Sequence, residues 1–196
     1  MSQNGSLPIA PPRGALDSLV IRPMSADDLS RVQEIDQLSF SLPWPKSAYR
    51  YELLENPSSL LWVAEVAGDN GNHRVVGCVV VWLILDEAHV ATVVVDPDYR
   101  QNRVASHLMV EMLKEVIARG ARLATLEVRE HNLPAQRLYK RFCFEVVGRR
   151  PRYYQDNHED ALIMTVMGLN QDYRTWLDSG VWIEMGTEDR ATRLNV

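Results

Sequence analysis

The sequence predicts one α/β domain of the α+β type, in which flanking helices cover a mixed central sheet of about six or seven strands. Three observations lead to this fold. An apolar hairpin comes early in the chain, a strand–helix–strand unit follows it, and two further strands lie near the end. Strands joined through a helix run parallel and hairpin strands run antiparallel, so a chain that contains both kinds forms a mixed sheet.

Size and composition describe one ordinary globular domain with tails. The 196 residues are 46% apolar and 24% charged, and domains of about 100 to 200 residues are common. The net charge is -5, and no run of like charge is long enough to neutralise a row of phosphates, so nucleic acid is not the expected partner. The apolar run 75–85 is about half as long as a bilayer requires, so no membrane span is expected.

The chain is expected to divide into three parts. Residues 1–18 form a leader without the apolar core of a secretory signal, residues 19–168 form the domain, and residues 169–196 form a C-terminal extension of unknown role that is expected to pack as a short appended element. Cys78 and Cys143 lie in apolar stretches without neighbouring metal ligands. They predict buried thiols in a reducing compartment, with no metal site, and therefore a cytoplasmic protein. The oligomeric state stays open.

The first part of the domain contains a short strand and two helices. Apolar residues over 19–22 predict the strand. Ser25 and Asp28 form a helix-start pair ahead of apolar positions at helical spacing over 29–38. The prolines that follow end this helix, and a second short helix is expected over 46–55.

Three strands follow these helices. Two apolar runs, 60–66 and 75–85, are joined by a Gly- and Asn-rich segment at 68–72, which predicts an antiparallel hairpin. The third strand, 88–95, ends in consecutive apolar residues, which predicts that both of its faces are covered.

The second half predicts the strand–helix–strand unit and the end of the sheet. A wide apolar stripe over 104–119, stopped by Gly120, predicts the longest helix. The strand 122–128 that follows should lie parallel to the strand before the helix. Asn132 is a suitable cap for a helix that ends near Phe142. Two more strands complete the sheet, at 144–147 and 160–166.

Motifs at the joints of these elements resemble the GNAT superfamily of acetyl-CoA-dependent N-acetyltransferases. The stretch 92–105 runs from a strand through a basic turn into a helix, and 126–144 carries Leu-Glu-Val-Arg, an Asn five residues after that Glu, and Leu-Tyr. Further stretches are similar to the RimI family within the superfamily, at 42–44, 85–88, 149–154 and 159–164. The resemblance covers residues 20–166. It implies acetyl-CoA as co-substrate and a basic peptide or protein N terminus as partner, with the N-terminal alanine of ribosomal protein S18 as the expected acceptor.

The resemblance also implies where acetyl-CoA binds. The superfamily's phosphate loop reads Q/R-x-x-G-x-G/A, and Arg103 stands at the central glycine position, where the backbone must approach a pyrophosphate at a helix N terminus. The Arg103 side chain therefore has to point outward or pair with a phosphate itself. The implied binding residues are the backbone groups of Val93, Val94 and Val95, the loop residues Arg100, Gln101, Asn102, Arg103, Val104, Ala105 and Ser106, and Asn132.

Two residues carry the chemistry by resemblance. Glu127, near the carboxyl end of its strand, would draw a proton from the acceptor ammonium directly or through water, and Tyr139 would give a proton to the CoA sulfur. By position alone, a solvated charge is the commoner explanation of Glu127 and a core aromatic that of Tyr139, and the family spacing of Glu127, Asn132 and Tyr139 reverses this order. An α-amine, with a pKa near 7.7 to 8.0 against about 10.4 for lysine, needs less help from such a base.

Acceptor recognition has several candidates. Asp86 and Glu87 would attract a basic peptide, and Trp44 with Tyr153 or Tyr154 would wall a groove, although a turn and packed aromatics explain these residues equally well. Three histidines are isolated from one another in sequence and are expected to be structural or exposed: His89, His107 and His131.

Two alternatives remain at this point. The chain is either a related acetyltransferase that acts on a lysine side chain or a small amine, or a noncatalytic acyl-CoA-binding module. Arg103 motivates the second alternative, because a loop without its glycine would hold the nucleotide differently. Cys143 stands at a helix end that ordinarily takes a left-handed residue, and it is expected to cost stability rather than activity.

Overall fold

A computed structural model describes residues 18–68 and 72–183. The predicted leader up to residue 17, residues 69–71 of the hairpin turn and the extension beyond residue 183 lie outside the described residues. Within the described part, the strands are β1 (Val20–Pro23), β2 (Ser59–Ala67), β3 (His73–Ile84), β4 (Glu87–Val95), β5 (Leu123–Arg129), β6 (Glu145–Arg150) and β7 (Ala161–Met167). The α-helices are α1 (Leu29–Ser39), α2 (Ala48–Leu54), α3 (Val104–Ala118), α4 (Leu133–Arg141) and α5 (Gln171–Asp178).

The strands form one mixed sheet in the order β1-β2-β3-β4-β5-β7-β6. Strands β4 and β5 run parallel, because helix α3 connects them and returns the chain to the same edge. The other neighbouring pairs in the described sheet run antiparallel. The prediction of a mixed α/β fold with a parallel pair is confirmed.

Two apolar cores lie on opposite faces of the sheet. The larger core contains the buried face of α3, including Leu108 and Met112, together with the end of α4. The smaller core joins Val32 and Ile35 of α1 and Tyr49 of α2 to the other face of β3 and β4. Each fully buried aliphatic side chain contributes about 1.5–3 kcal/mol, so both faces are firmly covered.

The boundaries of several elements differ from the sequence prediction. Helix α2 is shorter than expected, and β6 starts later and runs to Arg150. Ser25 and Asp28 form the expected capping box, but the turn that they cap is a short 3-10 segment that leads into α1. The prediction that both faces of β4 are covered is confirmed, because Val94 is buried in the smaller core, whereas Val93 and Val95 are half-buried and pack against the larger core.

The described part of the C-terminal extension packs on the larger core. Tyr173 and Leu177 of α5 are buried, as is Trp182 beyond it. The Tyr173 hydroxyl donates a hydrogen bond of 2.7 Å to the carbonyl of Phe142 at the end of α4. The described part of the extension therefore packs on the same face of the sheet as α3 and α4.

Candidate active site

Strands β4 and β5 separate after a short paired stretch. Their residues pair at Glu87↔Leu123, Ala88↔Ala124 and His89↔Thr125 and not beyond, although β4 continues to Val95. The Val95 carbonyl accepts a hydrogen bond from Nε of Arg100 at 3.2 Å. The other backbone groups on the β5 side of Val93 to Val95 have no strand partner and are available to a ligand, since strand backbone requires hydrogen-bond partners. We call this opening the splay.

A cleft of about 880 Å³ lies at the splay, between the N-terminal ends of α3 and α4. Four arginines and no carboxylate occur among the described residues that line it, although the whole chain carries a net charge of -5. Such a cleft attracts an anion. Its arginines are Arg100, Arg103, Arg137 and Arg141.

The loop before α3 has a left-handed backbone at two places. Gln101 has φ 64° and Arg103, the residue that caps α3, has φ 61°. Only glycine adopts this region without strain, which gives a second physical reason for the family's glycine at the Arg103 position. The Arg103 side chain is exposed and lies at the cleft, while the first N–H groups of α3 point there without helical partners.

Arg141 is a cleft residue that the sequence analysis missed. Its Nη1 atom donates to the Ser106 hydroxyl at 3.4 Å, and its Nε atom is buried without a partner among the described residues. A buried guanidinium N–H without an acceptor costs about 1–3 kcal/mol, so an anion at this position is favoured. The signal was the spacing of Arg137 and Arg141, which puts both on one face of α4, behind its Asn132 cap.

The arrangement fits acetyl-CoA. Its pyrophosphate is an anion that suits the arginines and the N terminus of α3, and its pantetheine arm is an extended chain that can pair with the free backbone of β4. Of the residues expected to bind it, Val93 to Val95, Arg100, Gln101, Asn132 and the run from Arg103 to Ser106 line the cleft. Asn102 is not among the lining residues, because its amide donates to the Arg100 carbonyl at 3.0 Å and holds the turn.

Glu127 lies on the opposite face of the sheet from this cleft. Its neighbours Leu126 and Val128 belong to the core beneath α3, and side chains alternate along a strand. The Glu127 carboxylate, only 9% exposed, lies with Oε2 at 3.1 Å from Nε2 of His89 and Oε1 at 3.1 Å from Nε of Arg150. His89 thus touches a candidate catalytic group, a role that sequence spacing did not reveal.

Tyr139 lies on the cleft side. It is buried on α4 and lines the cleft, and burial raises the pKa of its phenol above the ordinary value. The hydroxyl is therefore protonated at neutral pH and can act as a donor. The predicted helix cap is confirmed, because the Asn132 carbonyl oxygen accepts from the Ala135 N–H at 3.2 Å, which leaves the Asn132 amide N–H groups for a ligand.

The candidate acceptor residues divide into two groups. Tyr153 is exposed and makes an edge contact with the ring of Tyr154. The Arg129 guanidinium carbon lies 3.8 Å from the centre of the Tyr154 ring, and that of Arg150 lies 5.8 Å from the centre of the Tyr153 ring. Trp44 is half-buried and packs on Tyr49.

Asp86 and Glu87 lie elsewhere. They form the turn and first residue that begin β4, at the amino ends of the parallel strands. Ligands of such sheets bind at the carboxyl ends of the strands. The interpretation of these two acids as attractors of the acceptor is therefore not supported, because they occupy the wrong end of the sheet.

Within the described part of the chain, no group of three or more His, Cys, Asp or Glu side chains could hold a metal ion. No helix of residues 18–68 and 72–183 is long and apolar enough to cross a bilayer.

A splayed parallel pair, an arginine-lined cleft on one face and a carboxylate on the other define an acyl-CoA-dependent transferase. Residues 29–144 match the model of the Acetyltransferase (GNAT) family. The chain belongs to this family, and it is an acetyltransferase that uses acetyl-CoA as its acetyl donor. Membership gives no support to the noncatalytic alternative.

Within the family, the chain is similar to alanine N-acetyltransferases that act on ribosomal protein S18. The chain is 40% identical over 149 residues to the putative [ribosomal protein bS18]-alanine N-acetyltransferase of Bacillus subtilis (strain 168), covering 74% of this chain and 93% of that one. The crystal structure of the ribosomal-protein-S18-alanine N-acetyltransferase from Escherichia coli matches with a TM-score of 0.67 and 26% identity, over 76% of this chain and 93% of that one. Arabidopsis thaliana NAA60 in complex with acetyl-CoA shares the fold, with a TM-score of 0.67 and 22% identity over 76% and 98% of the two chains. The resemblance to the RimI family is confirmed.

Proposed function

We propose that this enzyme moves the acetyl group of acetyl-CoA to the α-amine of a protein N terminus, and that its acceptor is the N-terminal alanine of ribosomal protein S18. The observation that carries the proposal is the position of Glu127 at the splay, across the sheet from the arginine-lined cleft. The donor then lies on one face and the acceptor approaches from the other. The 40% identity to the Bacillus subtilis protein supports S18 as acceptor, and a ribosomal acceptor implies that the enzyme works in the cytoplasm.

The donor is held by groups of three kinds. The first N–H groups of α3, from Val104 to Ser106, and the arginines of the cleft bind the phosphates. The unpaired backbone groups of Val93 to Val95 and the Asn132 amide bind the pantetheine arm. Acetyl-CoA supplies the activated acyl carbon, and this chain orients that carbon at the splay.

Glu127 and Tyr139 move the protons. Glu127 takes one proton from the acceptor ammonium, and the neutral amine forms a C–N bond with the thioester carbonyl carbon. The C–S bond breaks, and the departing sulfur receives a proton from Tyr139. The second proton of the nitrogen leaves as the amide forms and restores the phenol through water. An α-amine loses its first proton more easily than lysine does, which favours an N-terminal acceptor for this base.

Side chains near Glu127 form the acceptor groove in this proposal. Tyr153 and Tyr154 follow β6, and Ser41 hydrogen-bonds Asp156, which joins the segment after α1 to the segment after β6. Trp44 completes the wall on the α1 side. The hydrogen bond between Ser41 and Asp156 links the two sides of the proposed groove.

The first test replaces the two proton-transfer groups. Glu127→Gln and Tyr139→Phe are each expected to lower kcat about 10²- to 10⁴-fold on a peptide that copies the S18 N terminus, because each removes a positioned acid or base. Steady-state release of CoA measures the rates, and calorimetry with acetyl-CoA checks that binding is retained. Unchanged turnover in either variant contradicts that residue's role.

The acceptor is tested with matched peptides. A peptide with a free α-amine should be acetylated, and the same peptide with a blocked α-amine and an internal lysine should not. Acetylation of the blocked peptide would assign the enzyme to lysine side chains instead.

A further inference from the structure

The carboxylate of Glu127 has two partners of different kinds. Arg150, on edge strand β6, has a side chain that is 55% exposed, whereas the His89 side chain is 28% exposed and stands on β4 inside the sheet. An exposed arginine on an edge can move away when an ammonium arrives. The His89 contact is the one that remains, so it defines where the carboxylate points.

The ring of His89 is itself held in place. It stacks on the indole of Trp82, with ring centroids 5.4 Å apart and planes 14° from parallel. The Trp82 indole N–H donates to Oε2 of Glu52 on α2 at 2.8 Å. Glu52 is buried and its Oε2 accepts a second hydrogen bond of 2.8 Å from Asn56. A row of contacts therefore runs from α2 across β3 and β4 to the carboxylate on β5.

We propose that His89 is a positioning residue of the acetyltransferase, which holds the Glu127 carboxylate at the splay while Oε1 remains for the acceptor. The inference rests on the proposed role of Glu127 as base. In this arrangement Nε2 of His89 stays beside Oε2, at the observed distance of 3.1 Å, throughout the reaction. The ammonium displaces Arg150 and gives its proton to Oε1.

The charged surroundings of the pair agree with this assignment. Glu127 faces His89 from β4 and Arg150 from β6, and the phenol of Tyr154 after β6 lies near it. Among the described residues, no second carboxylate makes an ion pair with His89. Within the described ranges, the imidazole therefore pairs with the Glu127 carboxylate alone, which is common for residues that orient a reactive group.

The kinetic test uses three histidine variants. His89→Ala is expected to lower kcat about 10- to 100-fold with the KM for acetyl-CoA unchanged, since loss of an orienting partner has effects of this size. His89→Gln, whose amide can donate from nearly the same point, should recover most of the rate. His73→Ala, a matched change at an exposed histidine at the start of β3, should leave the rate unchanged. Full kcat in His89→Ala, or a His89→Gln variant as slow as His89→Ala, overturns the proposal.

A second measurement needs no acceptor and no turnover. In protein labelled with ¹⁵N-histidine, Glu127→Gln should shift the ring resonances of His89, whereas Glu111→Gln on the exposed side of α3 should not. Unshifted His89 resonances in Glu127→Gln overturn the contact. If wild-type enzyme acetylates none of the free α-amine peptides while the resonances shift as expected, the proposed acceptor fails and the His89–Glu127 contact stands.

Discussion

Arg103 holds a left-handed backbone at the entrance of the acetyl-CoA cleft. A side chain with a Cβ atom is strained at φ 61°, and in the described structure the guanidinium makes no hydrogen bond or ion pair that would offset the strain. Its charge faces the cleft, where the other arginines also lie. Arg103 therefore lowers the stability of the folded chain and adds one positive charge near the proposed phosphate site.

Two substitutions at this position separate strain from charge. Arg103→Gly is expected to raise the free energy of unfolding by about 1 kcal/mol, because glycine relieves the strained backbone. Arg103→Ala, which keeps the Cβ atom, should leave it near the wild-type value. Both variants should bind acetyl-CoA a few-fold more weakly. Urea denaturation and calorimetry measure the two effects, and equal stabilities of the Gly and Ala variants would contradict the strain.

Single residues were predictable where a local rule applies. Cys143 has φ 62°, as expected for a helix end that takes a left-handed residue, and the Asn132 cap is present. The contact between His89 and Glu127 was not predictable, because it depends on the register of two strands that lie far apart in sequence. Arg150 reaches the same carboxylate from a third strand.

The segment between β6 and β7 is held by charge. Glu159 accepts hydrogen bonds from the backbone N–H of His131 at 2.9 Å and from Arg129 at 3.1 Å. These contacts lower the pKa of Glu159 from 4.5 to about 2, and the hydrogen bond from the His131 N–H has the largest effect. They tie the segment that carries Tyr153 and Tyr154 to the end of β5, next to Glu127.

The low pKa of Glu159 predicts a pH-dependent contribution to stability. A carboxyl with a lowered folded pKa stabilises the fold fully above its unfolded pKa, near 4.5, and this contribution disappears as the pH falls to about 2. Glu159→Gln should therefore lower the free energy of unfolding at pH 7 and match the wild type at pH 2. Urea titrations across this range measure the difference. Glu145→Gln, at the exposed start of β6, is the control, and a constant difference at all pH values would contradict the assignment.

Elements with strong periodicity were predicted well, and those that depend on tertiary contacts less well. Helix α3 begins and ends near the predicted positions, since its apolar stripe and Gly120 are local signals. Strand β6 was placed too early, because its six residues are mostly exposed and carry no alternation that would mark a buried face.

The larger core joins the family domain and the described part of the extension. Leu177 of α5 is 1% exposed and belongs to the same core as α3. Leu177→Ala should lower the free energy of unfolding by about 2–4 kcal/mol, because it leaves a cavity. Thr175→Ala, on the exposed side of the same helix, should change it by less than about 0.5 kcal/mol. Thermal and urea unfolding measure both variants, and a small effect of Leu177→Ala would mean that α5 adds little to the core.

The arrangement of the whole sheet was only partly predictable. Connection rules predicted the hairpin and the parallel pair, because each follows from neighbouring segments. The insertion of β7 between β5 and β6 brings together strands that are distant in sequence, and no local pattern encodes it. The domain boundary at residue 168 remains a prediction, since Tyr173, Leu177 and Trp182 continue the core beyond it.

The separation of β4 from β5 has a kinetic consequence. In the proposed arrangement, acetyl-CoA and the acceptor peptide reach the splay from opposite sides of the sheet. Neither molecule therefore blocks the binding site of the other. Either can arrive first, and the initial-rate plots should intersect rather than run parallel, as they would for a covalent acetyl-enzyme.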